Sequence, residues 1–591
     1  MESAKLPAAL LGMLAGFSLA ADAQQPLEAV TNDMSANAAS AITAEVSASL
    51  VTRVGDVSVT ELAASEANRQ AFQSLLNVAE EEKPPHRLRD GSLTSEAKPQ
   101  TLNALPRTTN PESAVVSIHP GFATTRGFTG IHVGDNVTAN RSAPEPPDQG
   151  LAVNNNVAAE INNDVLRFFN ATTGAALTAP IANSTFFNAA GFSLTDTQAF
   201  FDPVSKRWFL YTVMSSSTFD GYGFAVSQTS NPLGGYWIYH IRAFSNTVQG
   251  CGGKDCFPDY AKAGYDANAF FIAADLFNNA TSKFVESAIY VIPKAKLEAG
   301  ASFSFVRMDD RADFVVQPSV PAPGEPFSSA DNGSEFLLSA PGSAKVAVLA
   351  IINTNNIVSS PGSLKLYRTT VPSQSYGAGT VPMTQPNVVG PYCASVGVTS
   401  APKLDGGYSA FSATVQKAGG NLYGALAFGA KDGLGLNRDV IGWFEMHPTL
   451  TATALSASIV HQGIVVPPDG YSISYAAFGL NKTGAGALGM TITNKSGAVA
   501  GGYPSAAFMQ FSGTAFTGPI TITGQGFTSD DGFTGCPGSG PGKVGRWGDY
   551  AAATVDAVTG YIYTVNEMIP NPARYTRATA ANWGTFITQL H

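Results

Sequence analysis

Histidine is scarce in this chain, with seven in 591 residues. His86, His119, His132, His240, His447, His461 and His591 follow no metal-ligand spacing, so a zinc helix of the H-E-x-x-H type is excluded. There is also no G-x-S-x-G nucleophile elbow, no P-loop and no dinucleotide fingerprint leading from a strand into a helix. Charge is sparse as well: 13% of residues are Asp, Glu, Lys or Arg, where roughly 25% is usual. The net charge of −10 disfavours nucleic acid, whose phosphates demand a basic surface. Beyond the N-terminus no apolar run approaches the roughly 20 residues a membrane-spanning helix needs. Cysteine is limited to four. Cys251 and Cys256 are near enough in sequence to staple one loop, which leaves Cys393 and Cys536 for each other. In an oxidising compartment an even count reads as disulfides, and the C-x4-C pair has no second pair or histidine to complete a metal site.

The chain does have the three parts of a secretory signal. Lys5 is followed by an apolar stretch from Leu6 to Ala20, then Ala21-Asp22-Ala23 with small residues where a signal peptidase reads. Cleavage is expected after Ala23, giving a secreted, extracellular or periplasmic protein. Residues 24–115 read as an N-terminal spacer or pro-segment, partly helical and poorly ordered. In it Leu62, Phe72, Leu75, Leu76 and Val78 recur near helical spacing over Thr60 to Glu82, and Pro84-Pro85 stops the pattern.

From residue 116 to the end the period changes to that of an all-β chain. Short Val, Ile, Phe, Tyr and Ala runs alternate with Gly, Asn, Asp and Ser turns; glycine numbers 59 and proline 36. One unit recurs: a strand ending in Asp or Asn, a tight turn, then an apolar strand. It is seen at Phe201-Asp202-Pro203 through Tyr211 and at Val555-Asp556-Ala557 through Tyr563, and in degenerate form at Tyr265-Asp266-Ala267, Phe169-Asn170 and Leu480-Asn481. Asp and Asn bond their own turn backbone, so these are hairpin tips. A second element precedes several tips. Pro147-Asp148-Gln149-Gly150, Pro258-Asp259-Tyr260-Ala261-Lys262 and Gly548-Asp549-Tyr550-Ala551 each open a strand of small residues, as a crowded axis requires. Units beginning near Asp148, Asp202, Asp259, Asp331, Tyr408, Tyr475 and Asp549 predict a β-propeller of about seven blades, with loops longer than those of regular repeats. Two β-sandwiches in tandem are the competing architecture.

Pro146-Pro147-Asp148-Gln149, the strand Asn163 to Phe169, Asp202-Pro203 with Arg207-Trp208, Ala225 to Thr229, Pro258-Asp259-Tyr260, Asn332 to Phe336, Arg546-Trp547-Gly548-Asp549-Tyr550 and Trp583-Gly584-Thr585 occur in order. In these PPDQ, FPDY and RWGDY motifs the chain resembles a family of exported, mostly bacterial, largely uncharacterised β-propeller proteins. The resemblance runs from about residue 145 to the end and implies export and a propeller fold, without an established reaction. Family members carry an Arg-bearing strand near the fifth unit, where this chain has Gly407-Tyr408-Ser409-Ala410-Phe411, so a site resting on that Arg does not transfer.

The candidate chemistry lies in the carboxylates. If Asp148, Asp259 and Asp549 open innermost strands, they meet at one mouth of an axial channel, beside Tyr260, Tyr550 and Arg546. Gathered like charges raise one another's pKa or demand a cation. The set therefore reads in three ways. It is a Ca²⁺ ring, a glycosidase acid/base pair, or a lyase site in which Tyr takes a proton from a uronic acid. The bland alternative is that these Asp side chains bond neighbouring backbone and close the ring. Trp547, Gln149 and Glu335 are candidate substrate-binding residues, with Glu567 a further acid. Asp530-Asp531-Gly532 reads as a turn. The function expected is an extracellular propeller acting on or binding polysaccharide or glycoconjugate, as a glycoside hydrolase or polysaccharide lyase if catalytic. The alternative is a non-catalytic propeller that binds an extracellular protein or serves adhesion.

Overall fold

The computed structural model describes residues 42–47, 50–70, 79–82, 100–101, 125–243, 251, 256–342, 344–377, 379–451, 453–538 and 544–591. The expected signal peptide, residues 1–23, lies outside them, as does most of 24–115. The all-β expectation holds. Among the described residues the strands form six sheets of four to ten strands and one two-stranded pair.

Each array is an antiparallel meander that starts from a strand of small or buried residues. The first strands are Gly150–Asn154, Ser193–Asp202, Phe257–Tyr265, Gln317–Pro321, Val415–Ala418, Tyr471–Leu480 and Ala552–Val555. The fourth and fifth arrays merge into the ten-stranded sheet because Ser319–Pro321 pairs in parallel with Val415–Lys417. The first strands touch in cyclic succession, and the last touches the first. Glycine permits this approach: a Cβ on Gly264 would overlap the carbonyl oxygen of Ser319 in the next array.

Apolar clusters fill the spaces between successive arrays. Phe168, Phe186, Trp208 and Leu210 pack between the first and second. Phe209, Phe224, Phe270 and Tyr290 pack between the second and third. Val153, Phe169, Tyr563, Val565 and Trp583 pack between the last and the first. Burial of side chains this size stabilises each interface by about 1.5–3 kcal/mol per residue. The last array is completed from the other end of the chain, because Thr125–His132 pairs with Gly584–Leu590.

The described part of 24–115 differs from a simple spacer. Arg53–Ser58 adds an outer strand beside Gly235–Arg242, and Glu45–Val46 adds one beside Val306–Asp310. Ile42–Thr43 does the same beside Lys365–Pro372. The physical reason is that an open outer edge carries unpaired amides and carbonyls, which a passing extended segment satisfies. The helix spans Val59–Gln70, whereas Ala79–Glu82, inside the stretch of helical spacing, forms a strand beside Ser142–Glu145.

Both cysteine pairs form, Cys251 with Cys256 and Cys393 with Cys536. No helix among the described residues is long and apolar enough to cross a membrane.

Candidate functional site

Three first strands carry a bulge near their start, at Asp196-Thr197, Tyr260-Ala261 and Tyr475-Ala476. At each the leading residue is left-handed, with φ of 54°, 53° and 52°, and Asp148 and Val315 take φ of 51° and 54° just before their strands. Such bulges re-aim side chains and occur where a ladder is made to turn. Here they direct polar side chains from separate arrays towards one another.

The resulting cluster brings together most of the sequence candidates. Asp148 accepts from the Asp549 amide at 2.8 Å and from Asn163 Nδ2 at 2.7 Å. Asn163 Oδ1 accepts in turn from the Asp196 amide at 2.9 Å. Asp196 Oδ2 accepts from the Tyr550 hydroxyl at 2.9 Å and from the Ala261 amide at 3.3 Å. Gln149 Nε2 donates to the Tyr550 carbonyl at 2.8 Å, and Arg546 Nη2 pairs with Asp549 Oδ2 at 2.6 Å. Asp259 accepts from the Tyr260 amide at 2.9 Å. The Tyr260 ring packs on Phe314 and Tyr408. Glu567, from the last array, accepts from the Gly548 amide at 2.6 Å.

Two residues that sequence reasoning did not single out belong here. Asp196 lies in Leu194-Thr195-Asp196-Thr197, without the Pro-Asp or Gly-Asp opening of its counterparts, so only its place in the repeat marks it. Lys262 was visible within the second strand opening as a lone charge among small residues. Its Nζ lies 2.7 Å from the centroid of the Tyr550 ring and has no hydrogen-bond partner among the described residues. Burial pushes its pKa down to about 7, against Asp196, Asp148 and Asp549, which pull it up. Burial also raises the Tyr550 and Tyr260 hydroxyls well above the usual phenol range, with nearby carboxylates adding to the shift. Both tyrosines therefore hold their protons near neutrality, which disfavours either as a proton acceptor. Burial likewise lifts the Glu567 carboxyl well above the ordinary carboxyl range.

The cluster is not an open mouth. Asp148, Asp259, Tyr260, Tyr550 and Arg546 are all buried. Tyr408 lies against Tyr260, and the Tyr475 hydroxyl donates to the Asp405 carbonyl at 3.0 Å. Asp405 and Tyr408 belong to the connection 373–414, which is tied to a second connection, 525–550. Gln385 Nε2 donates to the Asp530 carbonyl, Asp405 N donates to the Gly545 carbonyl, and Cys393–Cys536 links the two covalently. Asp530 and Asp531 are part of this tie, and Asp530 Oδ1 also accepts from the Gly532 amide two residues on at 3.2 Å. Asp531 pairs with Arg577 at 2.8 Å, and burial lifts Asp530 to about 7.

Other candidates fall elsewhere. Trp547 is buried in the apolar cluster between the last and first arrays and presents no open face. Glu335 bonds the amide and hydroxyl of Ser319 at 2.8 Å within the fourth array. His240 and His461 bond the Phe187 carbonyl and Glu445. Among the described residues no three His, Cys, Asp or Glu side chains are placed to hold a metal ion. Among the first strands lies a narrow cavity of about 40 Å³, lined in part by Gly150, Gln198, Phe201, Tyr265 and Gln416. At roughly 10–15 Å³ per water this admits a few waters and no sugar ring.

No family model and no curated protein matches the chain. Among solved structures it is similar to Trypanosoma rangeli sialidase, at 9% identity and a TM-score of 0.30. That match covers 71% of this chain and 56% of the sialidase, so the chain spans little more than half of that protein. It is also similar to a PL25 ulvan lyase solved with -[GlcA(1-4)Rha3S]-, at 8% identity and a TM-score of 0.32, covering 79% of this chain and 94% of the lyase. A third is the exo-β-1,3-galactanase from Clostridium thermocellum, at 10% identity and a TM-score of 0.27, covering 62% and 82%. Likeness at this level fixes neither reaction nor ligand.

Proposed function

We propose that this chain is an exported, seven-bladed β-propeller that binds polysaccharide or glycoconjugate, and that its Asp-rich cluster closes the ring. The blade count is supported by the seven first strands in cyclic contact and by the interleaved apolar clusters. Export is supported by the two disulfides and by the N-terminal signal pattern. A weakly charged surface suits a hydroxyl-rich extracellular partner.

The observation that carries the binding reading is the occupancy of the carboxylates. Asp148, Asp196 and Asp549 each hold a donor from the protein itself, and Asp148 and Asp196 hold donors from other arrays. A hydrolytic pair needs two carboxyl groups facing a shared space large enough for a glycosidic bond. None of these carboxylates lines the cavity among the first strands, which is itself too small for a sugar ring. One observation favours a catalytic reading instead. Lys262 is a buried amine without a hydrogen-bond acceptor and with a pKa of about 7, which suits a general base. On that reading Asp148, Asp259, Asp549, Tyr260, Tyr550 and Arg546 surround the reacting group.

The test is a panel of neutral and acidic polysaccharides with the purified protein, with and without EDTA. Retention on immobilised polysaccharide is measured beside release of reducing ends and unsaturated uronates. The binding reading expects retention without release. Release that is lost in Lys262→Met and Asp549→Asn, while both remain folded, overturns it in favour of catalysis at the cluster. Neither retention nor release on any polymer removes the carbohydrate assignment altogether.

A further inference from the structure

A second concavity lies between the fifth and sixth arrays. It is a cleft of about 480 Å³, within the size range of ligand sites and some tenfold larger than the axial cavity. Three of its lining side chains are cationic, Lys403, Arg438 and Lys495, and no lining residue is acidic. This is an unusual concentration in a chain with only 34 lysines and arginines and a net charge of −10. The three come from separate segments. Lys403 is in the connection 373–414, Arg438 is in the strand Asn437–Thr451, and Lys495 directly follows the strand Gly486–Asn494.

Their partners differ. Arg438 is buried, with Nε 3.4 Å from Asp432 Oδ2 and Nη1 donating to the Asn437 carbonyl at 3.0 Å. Lys403 and Lys495 are exposed and make no ion pair among the described residues. Two ammonium groups in one cleft repel each other unless an anion lies between them. A concave site lined by one sign of charge also focuses its field on ligands of the other sign. Thr384 and Asn437 add hydrogen-bonding groups to the wall, and Leu436 adds an apolar surface.

We propose that this cleft is the polymer-binding site and that it selects anionic polysaccharide, holding sulfate-ester or carboxylate groups between Lys403 and Lys495 beside Arg438. The inference rests on the carbohydrate-binding reading above and adds both a place and a ligand class. The cluster of aspartates plays no part in it. Sulfate esters and uronate carboxylates share the chemistry the cleft offers, and the experiment separates them.

The experiment measures affinity of the intact protein for dextran sulfate, polygalacturonate, neutral dextran and a DNA duplex, at low and physiological salt. Lys403→Ala/Lys495→Ala is compared with Lys345→Ala/Lys365→Ala, which removes the same charge from exposed sites elsewhere. Because both cleft lysines are exposed, their removal leaves the fold intact, as a thermal melt verifies. The expected result is binding to dextran sulfate, polygalacturonate or both, weakened about tenfold in the cleft variant, unchanged in the control variant, and lost as salt screens the charges. Equal weakening in both variants shows a net-charge effect and overturns the inference. So does tighter binding to DNA than to the acidic polysaccharides. Binding to neutral dextran that ignores Lys403 and Lys495 overturns the cleft while leaving the carbohydrate reading standing. Binding to no polysaccharide removes both.

Discussion

The same side chain serves two purposes at the two ends of the first strands. At the hairpin ends, aspartates satisfy turns nearby in sequence. Asp266 accepts from the amides of Asn268 and Ala269 at 2.7 Å, Asp202 from Val204 at 2.9 Å, and Asp556 from Val558 at 2.8 Å. At the opposite end, the bonds reach across the chain. Asp148 and the Asp549 amide are 401 residues apart, and Asp196 and the Tyr550 hydroxyl 354. Local bonds shape each array, whereas distant ones join the last array to the first and second. Function had been expected where aspartates gather, but gathering is also what ring closure produces.

The largest effect expected from this contrast lies at a hairpin end that has acquired a distant partner. Lys294 Nζ bonds Asp202 Oδ2 at 2.8 Å, with both side chains almost fully buried. Lys294→Met leaves a buried carboxylate uncompensated and is expected to cost about 3–5 kcal/mol in urea unfolding. Adding Asp202→Asn to that variant recovers part of the loss. If Lys294→Met alone costs less than 1 kcal/mol, the hairpin ends are held by their turns alone and the contrast sharpens. Next comes the axis. Gly264→Ala forces a methyl group onto the Ser319 carbonyl of the adjacent first strand and is expected to cost about 1–3 kcal/mol. Gly560→Ala, at a hairpin tip with φ of 74° and nothing within 4 Å of the new methyl, is expected to cost about 1 kcal/mol from its backbone alone.

This division explains what could be read in the sequence. Hairpin tips are local, so Asp202, Asp266 and Asp556 were recognisable from the Asp-x-x pattern that bonds its own turn. The strands between them followed from Val, Ile, Phe and Tyr runs. The recurring Asp-strand opening brought out Asp148, Asp259 and Asp549, and the structure gathers them. What that opening could not reveal is who satisfies them, because Asn163, Gln149 and the Asp549 amide come from different arrays. Trp547 is misplaced for the same reason: its neighbours in sequence suggest an exposed face, and in space it is buried in the cluster that holds Val565, Ile587 and Trp583. Lys262 is legible as a residue and illegible as a buried amine, since its burial comes from groups distant in sequence such as the Tyr550 ring. The cleft lined by Lys403, Arg438 and Lys495 has no sequence signature, being assembled from three unrelated segments.

Lys262 sharpens the comparison through pH. Its folded pKa of about 7 lies below the unfolded lysine value of 10.5. Between these values the unfolded chain binds the proton and the folded chain does not, so its contribution to stability rises with pH. The folding free energy of the parent protein relative to Lys262→Met is therefore expected to improve by about 2 kcal/mol between pH 7.5 and 9.5. Using the difference removes the opposing trend of buried carboxyls such as Glu160, raised to about 7 by burial, whose contribution falls as pH rises towards and through that value. A difference that stays flat across this window shows that the Lys262 amine is charged in the fold and held by Tyr550 and the aspartates. The catalytic reading would then lose its base.

An effect as small as that of Gly560→Ala is expected where the two kinds of bond meet. Asp556 accepts from its own turn at Val558, and also from the Asn155 and Asn156 amides of the first array at 3.1 and 3.3 Å. Asn155 and Asn156 form a two-residue hairpin loop with φ of 48° and 64°, which Asn tolerates better than most residues. Asp556→Ala removes an acceptor from three amides. Those of Asn155 and Asn156 lie at an incompletely buried tip where water can replace the carboxylate, so the cost is about 1 kcal/mol. Hydrogen exchange separates the two contributions. Faster exchange at Val558 alone marks a turn residue that happens to lie near the first array. Faster exchange at Asn155 and Asn156 as well shows that the seam between the last and first arrays is latched at both of its ends.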